Sequence, residues 1–420
     1  MTDCTVKRVA FICLGCKLNF SESSTWAREF VSRGYERVHE REPADLYVVN
    51  TCTVTEQADK KCRQTIRRLH NMAPKAQIIV TGCYAQLKAE EIFTMEGVEL
   101  VVGTEKKSEL VTLADRLFTE NRGGWYCQPI EETASIFPAY SSGDRTRSFL
   151  KVQDGCDYHC TYCTVPLARG ISRNVSILQA TESARILAKQ GVKEVVLTGV
   201  NTGDFGKTTG ESFLNLLKNL ATIEEIRRWR ISSIEPNLLT SEIIDWISKA
   251  PCFLPHFHLP LQSGSDFILT RMGRRYRREL FADVVRQIRS LMPFAFIGID
   301  VIAGFPGEDQ VAFEETFDFL EQLSPSFLHV FPFSRRPNTP AATFPHQVPE
   351  KEKRQRVERL MKLSDRLYAD FYRLNMGRLE EVLFEAKERG GLMSGFTRNY
   401  IRVEKPFQKN LIGEIVDVII

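Results

Sequence analysis

The stretch "GCDYHCTYCTVP", residues 155–166, decides the fold because it places Cys156, Cys160 and Cys163 in the spacing C-x3-C-x2-C. A structural zinc site is usually closed by four ligands. His159 would supply a fourth donor, but it is adjacent to Cys160 and strained for the same ion. Iron–sulfur cubes are held by thiolates, and three thiolates leave one iron without a protein ligand. We interpret that gap as the place where a small chelating molecule binds.

The composition sets limits on the rest of the chain. Its 420 residues predict two or three domains. The formal net charge of +3 gives no bulk argument for nucleic acid, so local clusters must carry that case. The longest apolar run, from Pro293, contains Asp300 and is too short for a membrane span, so we expect no membrane association and a cytoplasmic location. In a reducing cytosol, eleven cysteines favour metal binding or catalysis over disulfides.

Residues 1–125 repeat an apolar run followed by a helix. The runs are "RVAFICLGC", "DLYVVNTC", "QIIVTGC" and "ELVVG". They are nearly continuous rather than alternating, which is typical of parallel strands buried on both faces. The pattern predicts a doubly wound α/β domain. In its first helix, "SESSTWAREFVSRG", Ser21 is the expected N-cap and Gly34 the expected stop.

Cys16, Cys52 and Cys83 each follow the end of one of these predicted strands. Because ligands are held at the carboxyl ends of strands in an open α/β sheet, we expect the three thiols to converge. The alternative is three unrelated buried cysteines. Cys62 is the best rival ligand, but its basic helix favours a solvated or half-buried thiol. The remaining cysteines are isolated and not expected to bind metal: Cys4, Cys13, Cys127 and Cys252.

A predicted linker, residues 126–145, leads into a second alternation of strands and helices over 146–348. Its six strand candidates are "SFLKVQ", "EVVLTG", "RWRISSI", "HFHLPL", "FIGIDVIAG" and "FLHVFPF". Six units predict a partial (β/α)6 barrel with a lateral opening. Residues 349–376 predict a charged amphipathic connector helix, and 377–420 predict a small C-terminal β-barrel.

The ordered motifs resemble those of the radical S-adenosylmethionine (SAM) methylthiotransferases. They are "GCKLN", "NTCTVT", "GCYAQ", "GCDYHCTYCTVPLARG", "SSIEP", "HLPLQSGSD" and "GIDVIAGFPGE". The resemblance spans essentially the whole chain, including a C-terminal part similar to the RNA-binding TRAM module. It implies two [4Fe-4S] clusters, one on Cys16, Cys52 and Cys83 and one on Cys156, Cys160 and Cys163. It also implies that SAM binds the open iron of the second cluster.

Within this family, "GCKLN" and "NTCTVTEQADKKCRQ" are similar to the branch that modifies N(6)-threonylcarbamoyladenosine at tRNA position 37. The implied reaction places a methylthio group on carbon 2 of that adenine. One SAM methylates a sulfur on the N-terminal cluster, and a second gives the 5′-deoxyadenosyl radical. The alternatives are methylthiolation of isopentenyladenosine in tRNA or of a ribosomal-protein aspartate, and a zinc-bearing RNA-binding protein without enzyme activity.

Further site residues follow from the resemblance and from barrel geometry, in which the carboxyl ends of the strands line the site. No side chain is expected to act as a general acid or base. The expected SAM contacts are Tyr162 and Gly304 for the adenine, Gly199 with Asn201 for the amino group, and Ser233, Glu235 and Gln262 for the ribose or methionine end. The alternative for each is a structural turn or a satisfied buried polar group.

Basic segments predict the RNA contacts. "RMGRRYRRE" and "FPFSRRPNTPA" favour unpaired RNA, because arginine binds phosphate and stacks on bases. The expected RNA-binding residues are Arg271, Arg274, Arg275, Arg277, Arg278, Arg335 and Arg336. The alternative is a solvated helix face, which we prefer for "RRWR", residues 227–230. The expected partners are the tRNA anticodon stem-loop, a low-potential electron donor such as flavodoxin or ferredoxin, and a sulfur source.

Overall fold

A computed structural model describes residues 6–120 and 122–420, so Cys4 lies outside the described residues. The chain forms two compact units. The first comprises the chain up to Ser142 together with Phe149–Asp157 and Cys163–Val175, and the second comprises Gly143–Ser148, Tyr158–Tyr162 and Ser176–Ile420. The two units are defined by which parts of the chain pack together. The division into five domains stays a prediction.

The elements of the first unit alternate along the chain as expected. Its strands are β1 (Arg8–Cys13), β2 (Glu36–Val38), β3 (Leu46–Thr51), β4 (Gln77–Gly82), β5 (Val98–Val102), β6 (Gly124–Tyr126), β7 (Ala139–Tyr140), β8 (Ser148–Lys151), β9 (Gln153–Asp154) and β10 (Arg173–Asn174). Its helices are α1 (Lys17–Ser32), α2 (Glu56–Met72), α3 (Cys83–Leu87), α4 (Ala89–Phe93), α5 (Leu110–Glu120) and α6 (Val165–Arg169).

Six of these strands form one parallel sheet in the order β2-β1-β3-β4-β5-β6. One face buries Tyr47, Val49 and Val80 against Ile66 and other residues of α2. The other face buries Val48 and Ile79 against Trp26 of α1 and Leu113 of α5. Helices therefore cover both faces, which confirms the doubly wound α/β prediction.

The limits of α1 test the capping prediction. The helix begins at Lys17 with Cys16 as its N-cap, so the prediction that Ser21 is the cap was wrong. Ser21 lies inside the helix, where its hydroxyl donates to the Leu18 carbonyl at 2.8 Å. Gly34 follows the end of the helix with φ of 88°, as expected for a glycine stop.

The predicted linker contributes to the packing of the first unit. Phe137 stacks on Trp26 with ring centroids 5.4 Å apart. Within the same stretch, β7 pairs with β8 in antiparallel fashion. Residues 126–142 are thus an ordered flank of this unit.

The second unit carries the remaining elements. Its strands are β11 (Glu194–Thr198), β12 (Arg228–Ile231), β13 (His256–Gln262), β14 (Phe296–Ala303), β15 (Phe327–Pro332), β16 (Leu379–Arg389), β17 (Leu392–Thr397), β18 (Arg402–Pro406) and β19 (Ile415–Ile419). Its helices are α7 (Ile177–Lys189), α8 (Phe213–Leu220), α9 (Ser241–Lys249), α10 (Asp266–Arg271), α11 (Arg278–Leu291), α12 (Gln310–Leu323) and α13 (Glu350–Asn375).

All six predicted barrel segments contain strands. In the second unit β11 pairs with β12, and β14 lies between β13 and β15, all in parallel. A single parallel bridge, Trp229 to Phe253, marks the approach of β12 to the chain that precedes β13. Helices separate the strands along the chain, in agreement with an incomplete β/α barrel.

The C-terminal part is a four-stranded antiparallel sheet in the order β18-β17-β16-β19. It curls into a half-barrel, in agreement with the small C-terminal β domain that the sequence predicts. The connector α13 is the expected long helix. No helix in the described part of the chain is long and apolar enough to cross a membrane.

Residues 228–230 of "RRWR" lie in β12, whereas Arg227 precedes the strand and is exposed, so the interpretation of this segment as a solvated helix face was wrong. Arg228 and Arg230 of β12 are 1% and 2% exposed. Arg230 bonds Glu194 at 2.7 Å and donates to the Thr397 carbonyl at 2.8 Å. Arg228 donates to the Glu381 carbonyl at 2.7 Å. These two arginines fasten the C-terminal sheet to β12.

Candidate functional site

The first cysteine set lies at the carboxyl edge of the parallel sheet. Cys16 caps α1, Cys52 follows β3 directly, and Cys83 opens α3 directly after β4. The pKa of Cys52 is raised to about 12, first by burial and then by the nearby thiols of Cys83 and Cys16. The three cysteines therefore follow the carboxyl ends of neighbouring strands, which is the placement that the sequence predicts.

The turn before Cys83 depends on a glycine. Gly82 has φ of 98°, in the left-handed region that glycine adopts without strain. A Cβ on Gly82 would collide with the Thr51 carbonyl oxygen. The close approach of two neighbouring strand ends places Cys83 beside Cys52.

Two buried asparagines tie the same edge together. The Cys16 thiol donates to Asn19 Oδ1 at 3.2 Å. Asn19 Nδ2 in turn donates to Asn50 Oδ1 at 2.5 Å and to the Thr51 carbonyl at 3.0 Å. The N-terminus of α1 and the end of β3 are thus joined next to two of the cysteines.

Cys62 is not the half-buried thiol that its basic helix predicted. It is fully buried in the core beneath the sheet, and its thiol donates to the Cys52 carbonyl at 3.5 Å. Burial raises its pKa to about 11. Charged residues flank Cys62 in the sequence of α2, so the sequence did not show that its side chain points into the apolar core.

Part of the second cysteine set also belongs to the first unit. The Cys156 amide donates to the Gly170 carbonyl at 3.0 Å, and the Val165 amide donates to Cys163 Sγ at 3.4 Å. The Thr164 hydroxyl, one residue after Cys163, donates to the Thr53 carbonyl, one residue after Cys52, at 3.4 Å. The residues that follow Cys163 and Cys52 are therefore neighbours within the first unit.

Cys160 lies in the second unit beside a buried arginine. Arg274 Nη1 donates to Cys160 Sγ at 3.2 Å and to the Tyr162 hydroxyl at 3.4 Å. Its Nη2 forms an ion pair with Glu235. Only 3% of the Arg274 side chain is exposed, so its prediction as an RNA contact was wrong. A guanidinium held between a carboxylate and a thiol has no surface to offer a phosphate.

Glu235 is therefore already engaged by Arg274. Burial raises the pKa of Glu235, while the neighbouring guanidinium of Arg274 opposes that rise. Tyr162 packs edge-on against Phe305, with ring centroids 6.3 Å apart. The tyrosine next to the last cysteine thus belongs to an aromatic group at the end of β14.

The other expected SAM contacts lie at strand ends of the second unit. Gly199 and Asn201 follow β11, and Asn201 is buried with its Nδ2 donating to Asp204 at 3.0 Å. Gln262 ends β13 with φ of 72°, a left-handed conformation uncommon for a residue with a side chain. Gly304 follows β14 directly, and the Lys353 side chain packs where its Cβ would lie.

Ser233 leads into a polar group that sequence analysis missed. Its hydroxyl lies 3.2 Å from His258 Nδ1, and His258 Nε2 lies 2.6 Å from Asp300 Oδ1. His329 joins His258 and Asp300. The potential ligand atoms of these three residues all lie within 4.8 Å of one another. His258, Asp300 and His329 occupy the adjacent strands β13, β14 and β15, and only the strand pairing reveals that these three residues meet.

The predicted RNA contacts divide by exposure. Arg336 is 5% exposed, so it was wrongly predicted as a surface contact. Arg271 is half-buried and lies over the Phe344 ring at 5.1 Å. The remaining four arginines are exposed: Arg275, Arg277, Arg278 and Arg335.

Arg169 is a site residue that sequence analysis did not assign. Its Nε donates to Cys83 Sγ at 3.2 Å and its Nη2 donates to Asn19 Oδ1 at 3.0 Å. Its Nη1 bonds Asp154 at 2.8 Å. The available signal was its place in "CTVPLARG", on the short helix that follows the cysteine loop.

The donor chemistry fits iron–sulfur clusters. The first set presents three cysteine sulfurs to one edge, and thiolates are the ligands that such clusters take. The ten described cysteines are all free thiols, so none of these positions is used in a disulfide. The residues present can hold the group that the spacing predicts.

Comparisons with known proteins agree with this geometry. Residues 8–103 match the uncharacterized protein family UPF0004, and residues 150–320 match the radical SAM superfamily. The fold is similar to that of the radical SAM methyltransferase TsrM from Kitasatospora setae. The TM-score is 0.60 at 15% identity, over 80% of this chain and 77% of that one.

Three relatives each match 98% of this chain. The threonylcarbamoyladenosine tRNA methylthiotransferase MtaB of Bacillus subtilis is 40% identical, over 98% of this chain and 93% of its own length. The MtaB of Aquifex aeolicus is 37% identical, over 98% of this chain and 100% of its own length. A tRNA-2-methylthio-N(6)-dimethylallyladenosine synthase from Natranaerobius thermophilus is 32% identical over 98% of this chain and 94% of its own length. With three thiols at the sheet edge, a second set in the following loop and relatives of this similarity, the chain belongs to the radical SAM methylthiotransferase family.

Proposed function

We propose that this chain is a tRNA methylthiotransferase that places a methylthio group on carbon 2 of N(6)-threonylcarbamoyladenosine at position 37. It would use two [4Fe-4S] clusters and two SAM molecules per turnover. The clusters and SAM supply the radical chemistry and the sulfur-bearing site when bound, and the protein supplies position and exclusion of water.

The observation that carries the proposal is a hydrogen bond inside the first unit between chain segments that carry one cysteine of each set. The hydrogen bond from Thr164 to the Thr53 carbonyl joins the residues that follow Cys163 and Cys52. A protein with two unrelated structural metal sites has no need to join them. A reaction that moves sulfur from one site to a carbon activated at the other requires such proximity.

Identity favours the threonylcarbamoyladenosine branch. Relatives named for that substrate are 33–40% identical to this chain, three of them at 36–40%, whereas relatives named for dimethylallyladenosine are 32–33% identical. The sequence around Cys16 and Cys52 favours the same branch. This agreement supports the substrate assignment.

The protein's own residues have distinct tasks. Cys16, Cys52 and Cys83 would hold one cluster, and Cys156, Cys160 and Cys163 the other. Arg274 holds its positive charge beside the Cys160 sulfur. Tyr162 packs against Phe305, where we expect the adenine of SAM. Asn201 and Gln262 place polar groups at strand ends for the rest of SAM. Exposed arginines, among them Arg278 and Arg335, are available to the anticodon stem-loop.

The remaining partners follow from the chemistry. Cleaving SAM consumes one electron, so a low-potential donor such as flavodoxin or ferredoxin is required. A methylthio group also requires a sulfur source. Both partners act where tRNA is modified, which in this proposal is the cytoplasm.

Iron and sulfide analysis tests the cofactor content. Anaerobically purified and reconstituted protein should hold about eight irons, since each cube carries four. A triple variant, Cys156→Ala with Cys160→Ala and Cys163→Ala, should retain about four. A colourless protein that holds zinc and no iron would instead support a structural role for both cysteine sets.

A two-substrate assay tests the branch. Protein with SAM and dithionite should convert tRNA bearing threonylcarbamoyladenosine to the methylthio nucleoside, detected by mass spectrometry. A matched tRNA bearing isopentenyladenosine is the control and should remain unmodified. Product from the control tRNA alone would move the assignment to the sister branch.

A further inference from the structure

Ion pairs join five buried charged side chains of the first unit behind the cysteine edge. This group, called here the Glu22 network, comprises Glu22, Lys107, Lys151, Asp154 and Arg169. Glu22 Oε1 lies 2.9 Å from Lys107 Nζ and 2.8 Å from Lys151 Nζ. Each of the five side chains is at most 3% exposed. These ion pairs are almost completely shielded from solvent, unlike ordinary surface ion pairs, which water and salt weaken.

The network carries unequal charge. Three cations face two carboxylates, which leaves a formal charge of +1. Burial acts to raise the pKa of Glu22, but the cations of Lys107, Lys151 and Arg169 outweigh it and hold that pKa below its usual range. A buried charge without a partner is costly, so an anion next to the network would offset this formal surplus.

Arg169 is the cation of the network that contacts a cysteine. Its Nε–H donates to Cys83 Sγ at 3.2 Å, while its Nη1 is held by Asp154 at 2.8 Å. Its Nη2 donates to Asn19 Oδ1, and Asn19 also contacts Cys16. Three fixed contacts thus orient the guanidinium toward the thiols that we assign to the N-terminal cluster.

The formal charge of the Glu22 network is opposite to the charge of a four-iron cluster on three thiolates. An oxidised four-iron cube has a core charge of 2+, and three thiolates bring its total to 1−. One-electron reduction makes it 2−. A cation and an N–H···S hydrogen bond at a ligand sulfur stabilise the more negative form, and hydrogen bonds to sulfur are among the factors that set cluster potentials.

We propose that Arg169 is a positioning residue that raises the reduction potential of the N-terminal cluster by presenting a buried cation and an N–H···S bond to Cys83. The inference rests on the proposed function, because it needs a cluster on Cys16, Cys52 and Cys83. It adds a specific role for a residue outside the ligand set. Arg169 neither ligates iron nor touches the reacting atoms in this account.

The test isolates the N-terminal cluster. In full-length protein carrying Cys156→Ala, Cys160→Ala and Cys163→Ala, the remaining cluster is titrated by electron paramagnetic resonance against poised potential. Arg169→Gln should shift its midpoint to more negative potential. Lys107→Gln is the matched control, since it removes a cation bonded to the same Glu22 and, among the described residues, bonded to no cysteine sulfur. Its shift should be clearly smaller.

Arg169→Lys separates charge from hydrogen bonding and serves if Arg169→Gln does not fold. Lysine keeps the cation but lacks the planar fork, so the potential should lie between those of the parent and Arg169→Gln. Equal shifts in the Arg169 and Lys107 variants, or no shift in either Arg169 variant, would overturn the role of Arg169. A parent that binds no iron would overturn the proposed function itself, so the two failures are distinguishable.

Discussion

Arg274 holds its position through contacts that leave it little freedom. Its guanidinium lies between Cys160 Sγ, the Glu235 carboxylate and the Tyr162 hydroxyl. Cys160 is buried, which raises its pKa, while the charge of Arg274 opposes that rise. A fixed cation therefore favours the thiolate that a cluster requires.

Replacing Arg274 tests this role. Arg274→Met should reduce formation of 5′-deoxyadenosine from SAM by roughly 30-fold, because a hydrogen bond to a charged group contributes about 2 kcal/mol. Arg274→Lys should fall less, since the charge remains. The measurement is 5′-deoxyadenosine per iron, with dithionite as reductant and no tRNA present.

Arg286→Met is the matched control for Arg274→Met. Arg286 is a surface arginine, 68% exposed and paired with Asp283 on α11. Its loss should leave 5′-deoxyadenosine formation unchanged. An Arg274→Met protein with full iron content and normal SAM cleavage would contradict the role given to this guanidinium.

Sequence analysis could not separate the arginines of "RMGRRYRRE" because their local patterns are alike. Their fates depend on partners distant in the chain: Glu235 is 39 residues from Arg274. Arg169 went unassigned for the same reason, since its contact with Cys83 spans 86 residues. The cysteines were predictable because strand order alone brings them to one edge.

At the level of elements, strands were well predicted and helix starts less so. Continuous apolar runs identify buried parallel strands whatever they pack against, and all six barrel segments contained one. The start of α1 moved from Ser21 to Cys16 because the polar residues Asn19, Glu22 and Ser23 are buried inside the helix. In the sequence, a run of polar residues that is buried in a helix resembles a surface loop, so the helix start is predicted too late.

The junction between β4 and α3 should not tolerate a side chain at Gly82. Gly82→Ala combines a left-handed φ with a collision against the Thr51 carbonyl, so Cys83 would be displaced. The variant should lose about four irons, the content of one cube. The measurement is iron and sulfide content with the visible absorption spectrum.

Gly34→Ala provides the comparison for Gly82→Ala. Gly34 also has a positive φ, 88°, but no atom lies within 4 Å of the position of its Cβ. We expect a cost of about 1 kcal/mol in the free energy of unfolding and a full iron complement. Equal iron loss in both variants would show that backbone strain alone, and not the strand contact, is responsible.

The link between β12 and the C-terminal sheet is also testable. Arg230→Met leaves Glu194 buried without its 2.7 Å partner and removes bonds to the Thr397 and Arg398 carbonyls. Breaking a buried ion pair from one side costs about 3–5 kcal/mol. The urea midpoint of the second unit should fall accordingly.

Arg227→Gln is the neighbouring control for Arg230→Met. Arg227 is 54% exposed and paired with Glu381 at 2.8 Å, and exposed pairs contribute about 0–1 kcal/mol. A fall of the same size in both variants would mean that the pairing with Glu194 is not what stabilises the C-terminal sheet.

For the whole molecule, charge distribution matters more than net charge. A formal charge of +3 over 420 residues gives little long-range attraction for RNA. The exposed arginines 275, 277 and 278 concentrate positive charge between α10 and α11, and Arg335 follows β15. Affinity for a tRNA loop should therefore depend on these few side chains.

The salt dependence of binding measures how many of them reach phosphates. Each phosphate neutralised on single-stranded RNA contributes about −0.7 to the slope of log affinity against log salt. The double variant Arg278→Gln with Arg335→Gln should reduce the slope for an anticodon stem-loop by about 1.4. Arg227→Gln with Arg286→Gln removes the same charge from other exposed sites and should leave the slope unchanged. If both pairs lower the slope equally, the attraction is a net-charge effect, and the arginines beside the strand ends do not hold the RNA.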